Sequence, residues 1–183
     1  MPPTLARDVI ERARRVRVVL FDVDGVLTDG GVFIHADGTE SKRFDIKDGA
    51  GIVIARRAGL VVGLISARQS PSTLHRARQL GMDPVRQGVA DKAATLDQLL
   101  AAHGWPAEDV AYMGDDVVDL PVLRRVGLAA CPADAVAEVR AIAHVVSTHP
   151  GGRGAARSFI EVILRAQERW DALIAAEAPD ARD

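Results

Sequence analysis

Apolar positions in this chain recur with two periods. Leu5, Val9 and Ile10 are spaced as on a helix through a charged stretch, which predicts a short amphipathic helix with its arginines in solvent. VRVVLF (16–21) follows, a β-branched run bounded by Asp and Gly, of the kind that forms a strand buried on both faces. GVFIH and ESKRFDI flank Ala36-Asp37-Gly38-Thr39, and an Asp-Gly between two short extended segments predicts a β-hairpin, here protruding at about residues 31–46. From Asp48 the two periods alternate: a helix about Gly51 to Ala58, the strand LVVGLI, a helix from Pro71 to Leu80, a short strand near Pro84 to Gln87, a helix from Lys92 to His103 and the strand DVAYM. Past Met113 come a helix from Leu120 to Arg125, the strand GLAAC, a helix from Ala135 to Ile142, the strand HVVS, the turn PGGRG and a long helix from about Ala155 to Ala176, with APDARD read as a frayed tail. Pro71 suits a first helical turn, Asp91 a cap, and Gly59, Gly81 and Gly104 suit helix ends. Such alternation predicts βαβ units and a parallel sheet, an α/β fold.

Composition narrows the classes. The 183 residues fit a single domain spanning 1–183, with no internal repeat and no Gly-, Ser- or Pro-rich linker to divide it. Hydrophobic residues at 48% and charged residues at 26% are the balance of a globular chain. The 23 Lys+Arg against 25 Asp+Glu leave a formal charge of −2, so no net basic field holds nucleic acid or an anionic membrane surface. Apolar runs are far shorter than a bilayer span, and the N-terminus is charged where a secretory signal needs its apolar segment. Cys131 is the one cysteine, which excludes an intrachain disulfide and makes the cytoplasm the expected compartment.

The chemistry concentrates at strand ends. In Asp22-Val23-Asp24-Gly25, directly after the first strand, alternation of an extended chain would send positions 22 and 24 to the same side, at the edge where open α/β sheets bind ligands. Taken alone, the tetrapeptide reads equally as a turn. Gly114-Asp115-Asp116-Val117-Val118-Asp119, following DVAYM, adds a second acidic cluster on the same edge. Carboxylates gathered at one strand end repel unless a cation relieves them, and hard oxygen ligands favour Mg²⁺. Ser66 ends the strand LVVGLI and offers a hydroxyl to a phosphoryl oxygen; Lys92 opens the helix after the third predicted strand and offers an ammonium. Singly, Ser66 reads as a helix cap and Lys92 as a solvated charge. His35, His75, His103, His144 and His149 show no paired metal-ligand spacing.

The ordered set DVDGVLTDG, ISAR, Lys92 and GDDVVD resembles the haloacid dehalogenase superfamily over nearly the whole chain. Within it, FDIKDGAGI, QGVADKAATL, VAYMGDDVVDLPVLRRVGLA and GGRGAARS resemble the capless branch that hydrolyses 3-deoxy-D-manno-octulosonate 8-phosphate (KDO 8-phosphate) in lipopolysaccharide precursor biosynthesis. The resemblance implies a three-layer Rossmann-like sheet and an aspartyl-phosphate mechanism. It implies Asp22 as nucleophile and Asp24 as general acid, then base. Mg²⁺ would be held by the Asp22 and Asp115 carboxylates and the Asp24 backbone carbonyl. Ser66 and Lys92 would bind the phosphoryl group, with Asp116 and Asp119 behind the metal and the lysine. It also implies a homotetramer in which the hairpins of Val32 to Asp45 assemble, a neighbouring subunit helps cover each site, and the C-terminal region is a further cover. No insertion large enough for a separate lid follows either of the first two motifs.

Arg68 is the expected reader of the sugar-acid carboxylate, since an arginine can give it two parallel hydrogen bonds. Arg76 is a further substrate-binding candidate. Related phosphatases of nine-carbon keto-deoxy sugar acid 9-phosphates carry an acidic residue in the place of Arg68, so ISAR points to the eight-carbon substrate. Ala67 and Ser158 depart from the family pattern, which has glycine and an acidic residue there. The nine-carbon substrate is one alternative; a non-catalytic assembly domain of the same fold is the other, and the intact set Asp22, Asp24, Lys92 and Asp115 argues against it.

Overall fold

The apolar runs pair into one parallel sheet in the computed structural model, which describes residues 6–177. Its six strands are β1 (Val18–Phe21), β4 (Val61–Ile65), β5 (Val85–Arg86), β6 (Val110–Met113), β7 (Leu128–Cys131) and β8 (Val145–Val146), in the order β5-β4-β1-β6-β7-β8. The helices are α1 (Arg7–Arg15), α2 (Ile46–Arg57), α3 (Pro71–Leu80), α4 (Lys92–His103), α5 (Leu120–Leu123), α6 (Ala137–Arg140), α7 (Ala155–Ala166) and α8 (Trp170–Glu177).

Alternation along β1 builds the three layers. Val19 and Phe21 join the cluster formed with α1, α2 and α7, which includes Val9, Ile52 and Ile160. Val18 and Leu20 face the other way, toward Leu96 and Leu99 of α4 and Val122 of α5. Each fully buried Leu, Ile or Phe contributes roughly 1.5–3 kcal/mol relative to exposure, so both faces of β1 are anchored. Being central, β1 pairs with β4 (Phe21↔Leu64) and with β6 (Phe21↔Met113). The strand order reverses at β1, so the carboxyl ends of β1 and β6 flank the crevice where such sheets take ligands.

The expected hairpin is present and short: β2 (Phe33–Ile34) pairs antiparallel with β3 (Glu40–Ser41), and the turn uses Gly38 at φ +81°. Four helices differ from the sequence reading. α2 begins at Ile46 rather than Gly51, because the Asp45 side chain accepts from Lys47 N (2.7 Å) and Asp48 N (3.2 Å) and caps the helix earlier. α5 and α6 are shorter than expected, with a 3-10 turn at Val117–Asp119 leading into α5. The long terminal helix divides into α7 and α8. Glu168 takes φ +58° at the break, while the Gln167 side chain donates to Ala13 O (3.1 Å) and Val16 O (2.8 Å) and Arg169 donates to Ala58 O. Anchoring to the end of α1 and to α2 outweighs helix continuation there. The tail APDARD lies outside the described residues. Among these, no helix is long and apolar enough to cross a membrane.

Candidate active site

β1 delivers Asp22, β6 delivers Asp115, and the 3-10 turn after β6 delivers Asp119. One oxygen of each can lie within 4.8 Å of the others, the one such acidic group among the described residues. Lys92, the first residue of α4, bridges two of them: its Nζ donates to Asp22 Oδ1 at 2.6 Å and to Asp119 Oδ1 at 2.7 Å, with all three side chains buried. Asp91 fixes the start of α4 by accepting from Ala94 N at 3.0 Å, and so aims Lys92 at the strand ends. Ser66 follows β4, buried, held by Ser66 N donating to Arg86 O at 2.8 Å; the parallel β1–β4 pairing (Phe21↔Leu64) brings it to the same sheet edge as Asp22.

Asp119 organises this cluster more than its place at the end of the motif suggested. Its Oδ1 accepts from the Tyr112 hydroxyl (2.7 Å) as well as from Lys92, and its Oδ2 accepts from Asp115 N (3.0 Å) and Asp116 N (3.3 Å). Tyr112, in β6, is fully buried; burial, with the Asp119 charge, drives its pKa well above the ordinary value, so it stays a neutral donor. Sequence reasoning passed over Tyr112, although the chain's one tyrosine, set in a central apolar strand, needs a partner for its hydroxyl. Asp116 is exposed and caps the 3-10 turn through Val117 N at 2.7 Å.

Asp24 does not join the acidic group. The chain leaves the extended conformation after Phe21 and folds into a turn in which Val26, Leu27 and Thr28 all donate to Val23 O, so alternation fails between positions 22 and 24. The Asp24 carboxylate instead meets Lys42, whose Nζ lies 2.7 Å from Oδ1 and donates to Oδ2 at 2.9 Å, with the Lys42 side chain fully buried. Lys42 sits just past the hairpin strand β3 and was not singled out from sequence; a lysine in a charged run gives no signal of burial. Arg68 Nε stands 3.6 Å from Asp24 Oδ2, and Arg68 Nη2 donates to Glu40 Oε2 at 2.8 Å. Arg76 lies elsewhere, donating to Asp45 O (3.3 Å) and Gln79 Oε1 (2.7 Å) between α2 and α3.

Glycines let these parts close up. Gly25 has φ +92°, and a Cβ there would run into the Asp115 carboxylate. The turn PGGRG packs on the same loop: Gly152 N donates to Val26 O at 2.9 Å, and a Cβ at Gly151 would collide with Gly25 O. Of the two departures from the family pattern, Ala67 lies beside Arg68, whereas Ser158 turns inward on α7 to Ser147 Oγ (2.9 Å) and Ala155 O (3.0 Å).

The electrostatics ask for a cation. At an effective dielectric of about 20, two charges some 4 Å apart repel by about 4 kcal/mol, and one ammonium faces three carboxylates here. Burial, opposed by Lys92 and aided by the Asp119 charge, raises Asp22 to about 6. Burial together with the charges of Asp22, Asp119 and Asp116 raises Asp115 to about 8. Burial works against the Lys92 ammonium, but Asp22 and Asp119 outweigh it and hold its pKa above the usual lysine value. Asp115 Oδ1 is buried without a hydrogen-bond partner. An unpartnered, acceptor-only oxygen beside a second carboxylate fits Mg²⁺, which takes hard oxygen ligands.

A family model for haloacid dehalogenase-like hydrolases matches residues 82–158. The chain is 39% identical over 167 residues to 3-deoxy-D-manno-octulosonate 8-phosphate phosphatase KdsC of Yersinia pestis, covering 91% of this chain and 89% of that one. The chain belongs to the KDO 8-phosphate phosphatase family of haloacid dehalogenase-like hydrolases. Identity to the family member of Escherichia coli K12 is 36%, over the same 91% of the chain and 89% of the relative. Another family member, from Moraxella catarrhalis, has a crystal structure in complex with a magnesium ion, a phosphate ion and a KDO molecule. It superposes with a TM-score of 0.91 at 34% identity, covering 93% of this chain and 98% of that one.

Proposed function

We propose that this chain is a Mg²⁺-dependent phosphatase that hydrolyses 3-deoxy-D-manno-octulosonate 8-phosphate to the free sugar acid and phosphate through an aspartyl-phosphate on Asp22, in lipopolysaccharide precursor biosynthesis. The observation that carries it is the Asp22–Lys92–Asp119 bridge beside Asp115, at the ends of β1 and β6, in a chain of this family. Mg²⁺ would be held by the Asp22 and Asp115 carboxylates and the Asp24 backbone carbonyl. When bound, it would offset the negative charge of the phosphate.

Lys92 holds Asp22 Oδ1, which leaves Oδ2 to attack phosphorus. Lys92 and Ser66 bind the phosphoryl oxygens, and the ammonium offsets the charge that would otherwise keep a carboxylate from a phosphate. As the P–O bond to the sugar breaks, Asp24 gives its proton to the leaving oxygen; it then takes one from the water that cleaves the aspartyl-phosphate. Lys42, with both Asp24 oxygens within 2.9 Å, sets the direction of that carboxyl. Arg68, half-exposed beside Asp24, binds the substrate carboxylate. Arg76, on α3 against the start of α2, supports the helix that carries Asp48, and its hydrogen bonds go to Asp45 and Gln79.

Subunits meet through the hairpins in a homotetramer, and a neighbour completes each site. The supporting observation is that Phe33 and Ile34 are each 68% exposed at the hairpin while, among the described residues, no insertion forms a lid. The reaction runs in the cytoplasm, a reading that the buried, free Cys131 supports. Asp22→Asn tests the chemistry: phosphate release from KDO 8-phosphate with Mg²⁺ should fall by at least about a thousandfold, and unchanged turnover would remove the nucleophile. A panel of eight- and nine-carbon sugar-acid phosphates, compared by kcat/KM, tests the substrate.

A further inference from the structure

Arg68 is the residue assigned above to the substrate carboxylate, yet in the free chain a carboxylate already sits on it. Glu40, in β3, accepts from Arg68 Nη2 at 2.8 Å and places Oε1 3.9 Å from Lys42 Nζ. The Glu40 side chain is 16% exposed, whereas Arg68 is 53% exposed, so the acid lies under the guanidinium and not out in solvent. Resting on the reading of Arg68 in the proposed function, we infer that Glu40 is an internal stand-in for the sugar-acid carboxylate, which the substrate must displace from Arg68 in order to bind.

The contact is incomplete in a way that invites exchange. A guanidinium can give a carboxylate two parallel hydrogen bonds, and Arg68 gives Glu40 one. Its Nε instead faces Asp24 Oδ2 at 3.6 Å, beyond hydrogen-bond range. Glu40 Oε1 is buried and makes no hydrogen bond, so one oxygen of the stand-in is unsatisfied. The neighbouring Ser70 and the Arg68 guanidinium hold the Glu40 carboxyl below its usual range, so it stays ionised at neutral pH. A free carboxylate on a ligand can turn to present both oxygens to Arg68, which the tethered Glu40 does not do.

In the free chain Arg68 already has one carboxylate as its hydrogen-bond partner, Glu40, while Asp24 belongs to Lys42. A substrate carboxylate adds a second, and exchange with Glu40 restores one-to-one pairing at Arg68 without uncovering Asp24, which Lys42 still holds. A sugar phosphate with no carboxylate has nothing to gain from Arg68 and no need to displace Glu40. The stand-in therefore acts on KM for sugar acids and not on the chemical step, and is a positioning residue for specificity.

The test is Glu40→Gln in the full chain, with KM measured for KDO 8-phosphate and for arabinose 5-phosphate as the carboxylate-free comparison. The amide keeps the size of Glu40 and a neutral acceptor for Arg68 while removing the competing charge. A half-exposed arginine–carboxylate contact is a weak one, so the ratio of the two KM values should shift about threefold in favour of the sugar acid. An unchanged ratio, or a shift the other way, overturns the stand-in and leaves Glu40 as a hairpin pin. Absence of KDO 8-phosphate turnover in the unaltered protein would instead reject the assigned substrate, and the inference with it. Binding of the free sugar acid by calorimetry gives the same comparison without turnover: tighter in Glu40→Gln supports the exchange, equal or weaker opposes it.

Discussion

At the scale of single residues, the acidic group stores a pH dependence whose sign is fixed. Without metal, Asp22 and Asp115 move from the ordinary carboxylate value of 3.8 to about 6 and about 8. The folded chain therefore binds more protons than the unfolded chain between about pH 4 and pH 8, and its stability falls as pH rises through that window, levelling off above the upper value. The melting temperature of metal-free protein should drop by on the order of 5 °C across it, and Asp115→Asn should flatten the slope. Added Mg²⁺ should stabilise more at pH 8 than at pH 5, because the carboxylates must ionise to bind it. A metal-free melting temperature that climbs with pH, unaltered by Asp115→Asn, would contradict the burial described here. Lys42 makes a second case. Its ammonium aims the Asp24 carboxyl, so Lys42→Met should lower kcat about tenfold for a sugar phosphate, whose leaving oxygen needs a proton. p-Nitrophenyl phosphate, with a leaving group stable as an anion, should lose much less; equal losses on both would show that Lys42 does not serve proton transfer.

Among the elements, α7 depends on a cap supplied from another helix. Its N-cap is Gly154, which has no side chain, and Asp48 of α2 takes that place: Oδ2 accepts from Gly154 N at 3.1 Å and Oδ1 from Arg157 N at 2.8 Å. Asp48→Ala would strand two N–H groups inside this contact at a cost of about 2 kcal/mol, a lower melting temperature by about 5 °C. Because the turn before α7 packs on the loop that carries Asp24 and Gly25, kcat should fall as well; full activity with a lowered melting temperature would show that the two ends of this contact are independent. This linkage also marks how far the sequence could be read. Pro71 to Leu80 and Lys92 to His103 were legible to the residue because Pro71, Gly81, Asp91 and Gly104 punctuate them locally. The strand-end positions of Asp22, Asp115, Ser66 and Lys92 followed from the βαβ order. What was not legible depended on distant partners. Asp48 lies ahead of the helix expected from Gly51 and nothing near it in the chain announces a cap, because its N–H partners lie 106 and 109 residues away. The break at Glu168 has no glycine or proline to announce it and is set by Gln167 and Arg169 reaching α1 and α2. Lys42 and Glu40 gained their roles only when the hairpin folded over Asp24.

On the scale of the whole molecule, the hairpin joins contacts to the site on one strand with exposed apolar side chains on the other. Phe33 and Ile34 project into solvent from β2, while Lys42 and Glu40, at and just beyond β3, hold the hairpin to Asp24 and Arg68. Two large side chains exposed together on a rigid ribbon are costly in a monomer; each would gain roughly 1.5–3 kcal/mol on burial, and a ring of copies would bury all of them at once. The ionic contacts at the other end keep the ribbon in one orientation, so assembly would also fix the position of Lys42 over Asp24. The double variant Phe33→Ser, Ile34→Ser leaves those contacts intact and removes the apolar surface. Sedimentation at micromolar protein should show the unaltered chain as a tetramer and the variant as a smaller species. If hairpin packing steadies the site, kcat/KM for KDO 8-phosphate should fall with the loss of assembly and recover in part at high protein concentration. An unaltered chain that sediments as a monomer, or a variant that keeps the same mass and turnover, would place the complete site within one subunit.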